Sequence, residues 1–131
     1  MRSFLAFSRL RQQLVALNSV KDNWDTYGSP KPNEEALKVA AAVLGTLQQD
    51  GLLIPIKLLP SAEGGVGICF VEESRYAHIE IFNEGGLASV VMFETGQHSS
   101  VRREPRIFES DVTERDNLTQ ISREIREHLY R

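Results

Sequence analysis

Residues 66–93 decide the fold, and their sequence is VGICFVEESRYAHIEIFNEGGLASVVMF. Apolar residues recur at every second position through most of this stretch, which is the period of a β-strand. Two short polar separators, residues 72–75 and 83–86, interrupt the alternation and contain turn-forming residues. Separators of this length join neighbouring antiparallel strands. With a further apolar run just before it, the sequence predicts a four-stranded antiparallel meander with strands at residues 54–59, 66–71, 76–82 and 87–93.

Helical periodicity flanks the predicted sheet on both sides. Apolar residues spaced by three and four predict a first helix at about residues 3–20. A second helix follows the N-cap candidate Asn33 and stops at Gly51. A third begins near Asp111 or Thr113, where a capping-box pattern occurs. Residues 106–108 could pair at a sheet edge. The chain is therefore predicted to be a single α+β domain over residues 1–131.

Length, charge and cysteine content narrow the function classes. The chain has 131 residues, a net charge of -3 and one cysteine, Cys69. An acidic chain has no overall attraction to nucleic acid or anionic lipid, and no apolar stretch is long enough to span a membrane. Cys69 cannot form an internal disulfide and has apolar neighbours, so a small buried side chain in a cytoplasmic protein is expected. The first 21 residues contain arginines but no acidic residue, which also fits a transit peptide. A first helix that packs on the rest of the domain is the favoured interpretation.

The second face of the sheet is the main candidate for function. The third strand alternates cleanly, with Ala77, Ile79 and Ile81 on one side and polar or aromatic residues on the other. The second and fourth strands are apolar on both sides, so both faces need cover. Three helices cover one face and only part of the other. We therefore expect a protein partner or a second copy to bind the face that bears Tyr76, Phe82, Val91 and Phe93.

Residues 23–32, NWDTYGSPKP, predict an ordered corner between the first two helices. Trp24 is the only tryptophan of the chain, and its large apolar ring predicts burial against those helices. Asp25 can accept hydrogen bonds from nearby backbone N–H groups, and Gly28 permits a bend without strain. These three residues are predicted to form a structural anchor.

Two segments resemble a family of small uncharacterised bacterial proteins. They are residues 23–37, which begin N-W-D-T-Y-G before a helix, and residues 60–66, PSAEGGV, before a meander. The family has an N-W-D-G-Y-G segment and a P-x-x-x-G-G segment, and Thr26 departs from the glycine that is usual at its position. The resemblance covers about residues 20–82. It implies a bacterial or phage source and a shared fold, and it implies no catalytic residues.

Catalytic patterns are weak by comparison. His78 and Glu80 lie two apart on a strand and project from one face, which suits a metal or a proton transfer. A small metal-dependent hydrolase would need Asp25 to join them. His98 and His128 are expected to be solvated, and Arg102, Arg103 and Arg106 form a basic patch diluted by glutamates. No cofactor, metal or nucleic acid is expected. The favoured function is a non-enzymatic interaction module, such as an adaptor, an inhibitor or the neutralising partner of a toxin.

Overall fold

The fold is an antiparallel sheet with three helices, and a computed structural model describes it for residues 2–96 and 104–130. The helices are α1 (Arg2–Leu17), α2 (Glu34–Gln49) and α3 (Arg115–Leu129). The strands are β1 (Lys57–Pro60), β2 (Gly65–Glu72), β3 (Arg75–Phe82), β4 (Ala88–Glu94) and β5 (Arg106–Ser110). The predicted α+β class is confirmed, with five strands where four were expected.

The five strands lie in chain order, and every neighbouring pair is antiparallel. The additional strand is β5, which pairs with the outer edge of β4. It begins at Arg106, directly after Pro105, so the proline lies outside the ladder. A proline at that point can stand before a strand but cannot donate to a ladder inside one. Residues 106–108 therefore pair at the edge, as the sequence suggested.

All three helices pack on one face of the sheet. The largest fully buried side chains of the strands on that side are Val66, Ile68, Ile79, Val90 and Met92. They form one core with the apolar stripes of the helices, whose deeply buried members include Phe7, Leu44, Leu47, Leu118, Ile121 and Ile125. The apolar spacing that predicted the first helix is thus confirmed as a buried stripe, and within the described residues these helices do not extend over the second face of the sheet.

The predicted helix boundaries agree with the structure for α2 but not for α1 and α3. The Asn33 side chain accepts from the Ala36 N–H at 2.9 Å, and Gly51 has a φ of 63°, so both predicted boundaries of α2 are confirmed. Helix α1 ends at Leu17 rather than at residue 20. The predicted capping box of α3 is wrong, because its N-cap, Glu114, makes no side-chain bond. Asp111 instead accepts from Thr113 in the preceding turn.

The corner between α1 and α2 corrects one prediction. Trp24 is 37% exposed and is not buried against the helices. Asn23 and Thr26 have φ values of 62° and 65°, and Gly28 has 85°, so three residues of this corner turn through the left-handed region. The indole is partly exposed at this corner, and its Nε1 donates to the carbonyl oxygen of Pro30, six residues later, at 3.3 Å.

A glycine fixes the start of β2 against β3. Gly65 has a φ of 135°, and a Cβ placed there would lie 1.9 Å from the Ile81 carbonyl oxygen. Only glycine allows this approach of the two backbones. The turn of residues 61–64 is closed by the Ser61 N–H, which donates to the Gly65 carbonyl at 2.9 Å. The Gly-rich segment therefore serves a tight hairpin, as its sequence context predicts.

Candidate interaction face

The sheet presents a second face to the outside, which we call the open face. The ladders place two rows of side chains across its middle: Lys57, Cys69, His78, Val91 and Ile107, and then Leu59, Gly67, Glu80, Ser89 and Glu109. Tyr76 and Phe93 pair beyond the first row, and Phe82 lies at the far end of β3. In the described ranges 2–96 and 104–130, no helix packs over this face. The four predicted interface residues, Tyr76, Phe82, Val91 and Phe93, thus share one face.

An aromatic group occupies one end of the open face. The rings of Tyr76 and Phe93, directly opposite each other on β3 and β4, are stacked with centroids 5.1 Å apart and an interplanar angle of 7°. The His78 ring meets Phe93 edge-on at 5.6 Å. All three side chains are half-buried. Because they cover one another, they present a preformed apolar surface that loses little conformational entropy when a partner packs on it.

His78 and Glu80 do meet, as their spacing predicts. His78 Nδ1 lies 3.5 Å from Glu80 Oε1, and the Ser61 hydroxyl donates to Glu80 Oε2 at 2.8 Å. The hydrogen bond from His78 lowers the pKa of Glu80; partial burial opposes this effect and the bond from Ser61 adds to it. The carboxylate therefore has both oxygens engaged within the protein. A group held in this way stabilises the face and is poorly suited to act as a general base.

Asp25 does not join this pair. Its carboxylate accepts from the Ser29 hydroxyl and from the Tyr27 N–H, the latter at 3.0 Å, so it closes its own loop. The Ser29 hydroxyl is the main cause of the lowered pKa of Asp25. Among the residues that the structure describes, no three His, Cys, Asp or Glu side chains lie close enough to hold a metal ion. The trio of Asp25, His78 and Glu80 is not assembled there.

Cys69 lies on the open face rather than in the core. It is half-buried and faces His78 across the β2–β3 ladder, which corrects the expectation of a buried side chain. The cause is the strand period, since Ile68 and Phe70 take the core positions on either side. Burial raises the pKa of the Cys69 thiol, and Lys57 only partly opposes the rise. A thiol kept protonated is a poor nucleophile.

The two edges of the sheet differ in how far their outward backbone groups are occupied. At the β1 edge the Leu58 N–H donates to the side-chain oxygen of Gln13 in α1 at 2.8 Å, and Pro60 has no N–H to offer. At the β5 edge Ile107 is 66% exposed. No described side chain or loop donates to or accepts from the backbone of β5 on its outer side. The prolines at 55 and 60 were the sequence signal for a closed β1 edge.

A groove lies where the β3–β4 turn approaches α2 and the start of α3. It has a volume of about 360 Å³, and its walls include Glu35, Val39, Leu87 and Asp111. The Thr113 hydroxyl and N–H donate to Asp111 and lower the pKa of its carboxyl. Leu87 is 50% exposed at the rim. Phe82 also lines the groove.

The remaining histidines and arginines considered from sequence do not form a site. His98, Arg102 and Arg103 lie outside the described residues. His128, expected to be solvated, is half-buried on α3, and its Nε2 lies 3.0 Å from the Phe93 carbonyl oxygen. Arg106 is on β5, where it donates to Glu124 at 3.1 Å.

Comparison with protein-family models, curated proteins and solved structures finds no match. The resemblance seen in residues 23–37 and 60–66 stays a prediction. Within the described part of the chain, none of the helices has the length and apolar character needed to cross a bilayer.

Proposed function

We propose that this chain is a non-enzymatic protein-interaction module that binds a partner protein through the open face. The observation that carries the proposal is the one-sided placement of the helices. All three contribute to the core on one side of the sheet, while the stacked Tyr76 and Phe93 stand on the other. A group of aromatic and aliphatic side chains that no helix of the described residues covers is typical of an interaction site on a small domain.

The chemistry of the face supports recognition rather than catalysis. Glu80 is engaged by His78 and Ser61, and the Cys69 thiol has a raised pKa. The surface left for a partner consists of aromatic and aliphatic side chains, with charged residues such as Lys57 and Glu109 on the outer strands β1 and β5. Partner surfaces that bind such a face commonly insert an aromatic or aliphatic side chain beside the central rings. An adaptor, an inhibitor or a toxin-neutralising protein of a bacterium or phage would work in this way, in the cytoplasm.

The experiment measures complex formation with the protein encoded by the adjacent gene. Light scattering gives the mass of each mixture for the wild type, for Phe93→Glu and for the control Tyr27→Glu. Tyr27 is 91% exposed in the α1–α2 corner and is not one of the strand residues that form the open face, so Tyr27→Glu introduces the same charge on an aromatic residue at a different site. Loss of the complex in Phe93→Glu alone supports the proposal.

A folded Phe93→Glu variant that binds as tightly as the wild type contradicts the proposal. Thermal unfolding of each variant establishes that the fold is retained. Tyr76→Lys serves as a second variant of the same face, and it should weaken binding by about 10-fold or more if the aromatic pair is central. Binding that survives both changes would exclude the open face as the docking surface.

A further inference from the structure

We propose that two copies of this chain associate through their β5 edges, forming a continuous ten-stranded antiparallel sheet about a two-fold axis. This inference concerns an edge rather than the open face and does not depend on the partner proposed above. It starts from the contrast between the two edges: Gln13 and Pro60 close the outer side of β1, whereas no described group bonds to the outer backbone of β5.

The direction of the free backbone groups follows from the ladders. In an antiparallel sheet, each residue directs its N–H and C=O to the same side, and paired residues alternate between bonded and non-bonded pairs. The Leu58 N–H points outward to Gln13. The direction of the backbone groups then reverses or repeats from strand to strand in a fixed way along one row of paired residues. Leu58 and Ile68 are a non-bonded pair, Ile68 and Ile79 a bonded pair, Ile79 and Val90 a non-bonded pair, and Val90 and Phe108 a bonded pair. Phe108 therefore directs its backbone groups inward to Val90, and Ile107 and Glu109 direct theirs outward.

Those outward groups fit a second copy. In an antiparallel pair centred on Ile107, the N–H and C=O of each Ile107 bond those of Ile107 in the other copy. The Glu109 N–H of each copy reaches the Pro105 carbonyl of the other, and Pro105 has no N–H to be left unpaired. The exposed Ile107 side chain, 66% accessible, is covered by its own counterpart. Every outward donor of the strand thus finds an acceptor.

Because the β1 edge is closed, the association stops at a dimer and does not continue into a filament. Pairing of β5 with β1 of another copy would repeat without limit, but Gln13 already occupies the Leu58 N–H. Pairing of β5 with β5 uses the same edge on both copies, so the ten-stranded sheet ends in two β1 edges whose Leu58 N–H groups are already bonded to Gln13. A five-residue edge buries less than the ~800 Å² per partner of a standard interface, so a dimer that forms and dissociates with concentration is expected.

Sedimentation equilibrium tests the inference on the full chain. The wild type should show a mass that rises toward two chains with concentration, up to about 1 mM protein. Ile107→Lys should weaken self-association by about 10-fold or more, because two ammonium groups would meet at the axis. The matched control is Leu59→Lys, which makes the same change at an exposed residue on the opposite edge of the open face.

Three results would overturn the inference. They are a wild type that stays monomeric at all concentrations, an unchanged dimer in Ile107→Lys, and equal weakening by Leu59→Lys. The last would place the contact on the open face rather than on the edge. Both substitutions change exposed side chains, so the fold is not at risk.

Cysteine cross-linking tests the register independently, in a Cys69→Ser background. Bonded partners in an antiparallel pair have Cα atoms ~5.5 Å apart, within the range of a disulfide. Ile107→Cys should therefore give a covalent dimer under mild oxidation. In this register the two copies of residue 109 are about 14 Å apart along the strands, so Glu109→Cys should not cross-link. Equal cross-linking of the two variants would contradict the pairing.

Discussion

Asn33 and Asn83 bind each other across fifty residues of sequence. The Asn33 N–H donates to Asn83 Oδ1 at 2.7 Å, and Asn33 Nδ2 donates to the Asn83 carbonyl at 2.8 Å. Asn83 Nδ2 also reaches the Lys31 carbonyl at 2.8 Å. One pair of amides therefore caps α2 and joins its start to the β3–β4 turn.

Replacing Asn83 should be costly for a surface-accessible residue. Asn83→Ala removes bonds from two backbone groups of the segment before α2, and we expect a loss of about 2 kcal/mol in the free energy of unfolding. Asn33→Ala removes the helix cap as well and should cost about 1–2 kcal/mol. Urea unfolding of the two single variants and the double variant measures their coupling. Strictly additive losses would show that the two amides do not act together.

Gly65 should tolerate no side chain. Gly65→Ala places a Cβ against the Ile81 carbonyl in a backbone region that suits only glycine, so we expect a loss of about 3 kcal/mol or more. Gly45 is the matched control, since it lies within α2 and a Cβ added there would meet nothing within 4 Å beyond its own helix backbone. Gly45→Ala should raise stability by about 0.5–1 kcal/mol. Thermal unfolding of both variants checks the opposite signs.

Trp24 should contribute less than a core tryptophan. Its ring is 37% exposed and its N–H bonds a loop carbonyl, so we expect Trp24→Ala to cost about 1–2 kcal/mol instead of the 3–5 kcal/mol typical of a buried ring. Fluorescence of the wild type gives a second measurement, because a partly exposed indole is accessible to a soluble quencher. A loss above about 4 kcal/mol would indicate that the ring is buried.

Glu80 should make stability depend on pH in the acid range. Its pKa is lower in the folded chain than its ordinary value of 4.5, so the folded state favours the ionised form. The stabilisation is therefore full above the unfolded pKa and is lost as the pH falls through the lower folded value. Between about pH 5 and pH 3, the wild type should lose more unfolding free energy than Glu80→Gln. Parallel pH dependences of the two proteins would contradict this role.

His78 provides a complementary test of the polar pair. If it and Glu80 support the face without catalysing a reaction, the double replacement by Gln should keep stability within about 1 kcal/mol at neutral pH. It should also leave the biological phenotype intact. The measurement is the unfolding free energy together with the cellular assay that the gene supports. Loss of phenotype in a folded variant that still binds its partner would reveal an active site.

The helices and strands could be predicted from sequence where their apolar residues recur with a regular period. The alternation of Ala77, Ile79 and Ile81 with polar residues predicts both the strand and its buried side, because the hydrophobic effect places every second side chain in the core. The Asn33 cap is equally local. Trp24 was predicted wrongly because its environment depends on three left-handed residues within the corner, and two of them, Asn23 and Thr26, are not glycine.

Contacts between distant segments could not be predicted in this way. Nothing near Gln13 indicates that its side chain occupies the Leu58 N–H forty-five residues later. The same is true of Ser61 and Glu80, which the turn and the ladder bring together. Such pairs depend on the register of the sheet and on the angle at which a helix crosses it, and a single sequence reports neither directly.

The one-sided placement of the helices also separates two kinds of evolutionary constraint. Substitutions at Ile68, Ile79 or Val90 must satisfy close packing, so few alternatives preserve the fold. Val91 and Phe93, on the other side of the same strands, are only half-buried, so close packing constrains them less. Substitutions on the open face can therefore alter the surface that the domain presents while the architecture beneath stays the same, so the proposed partner can change without a change of fold.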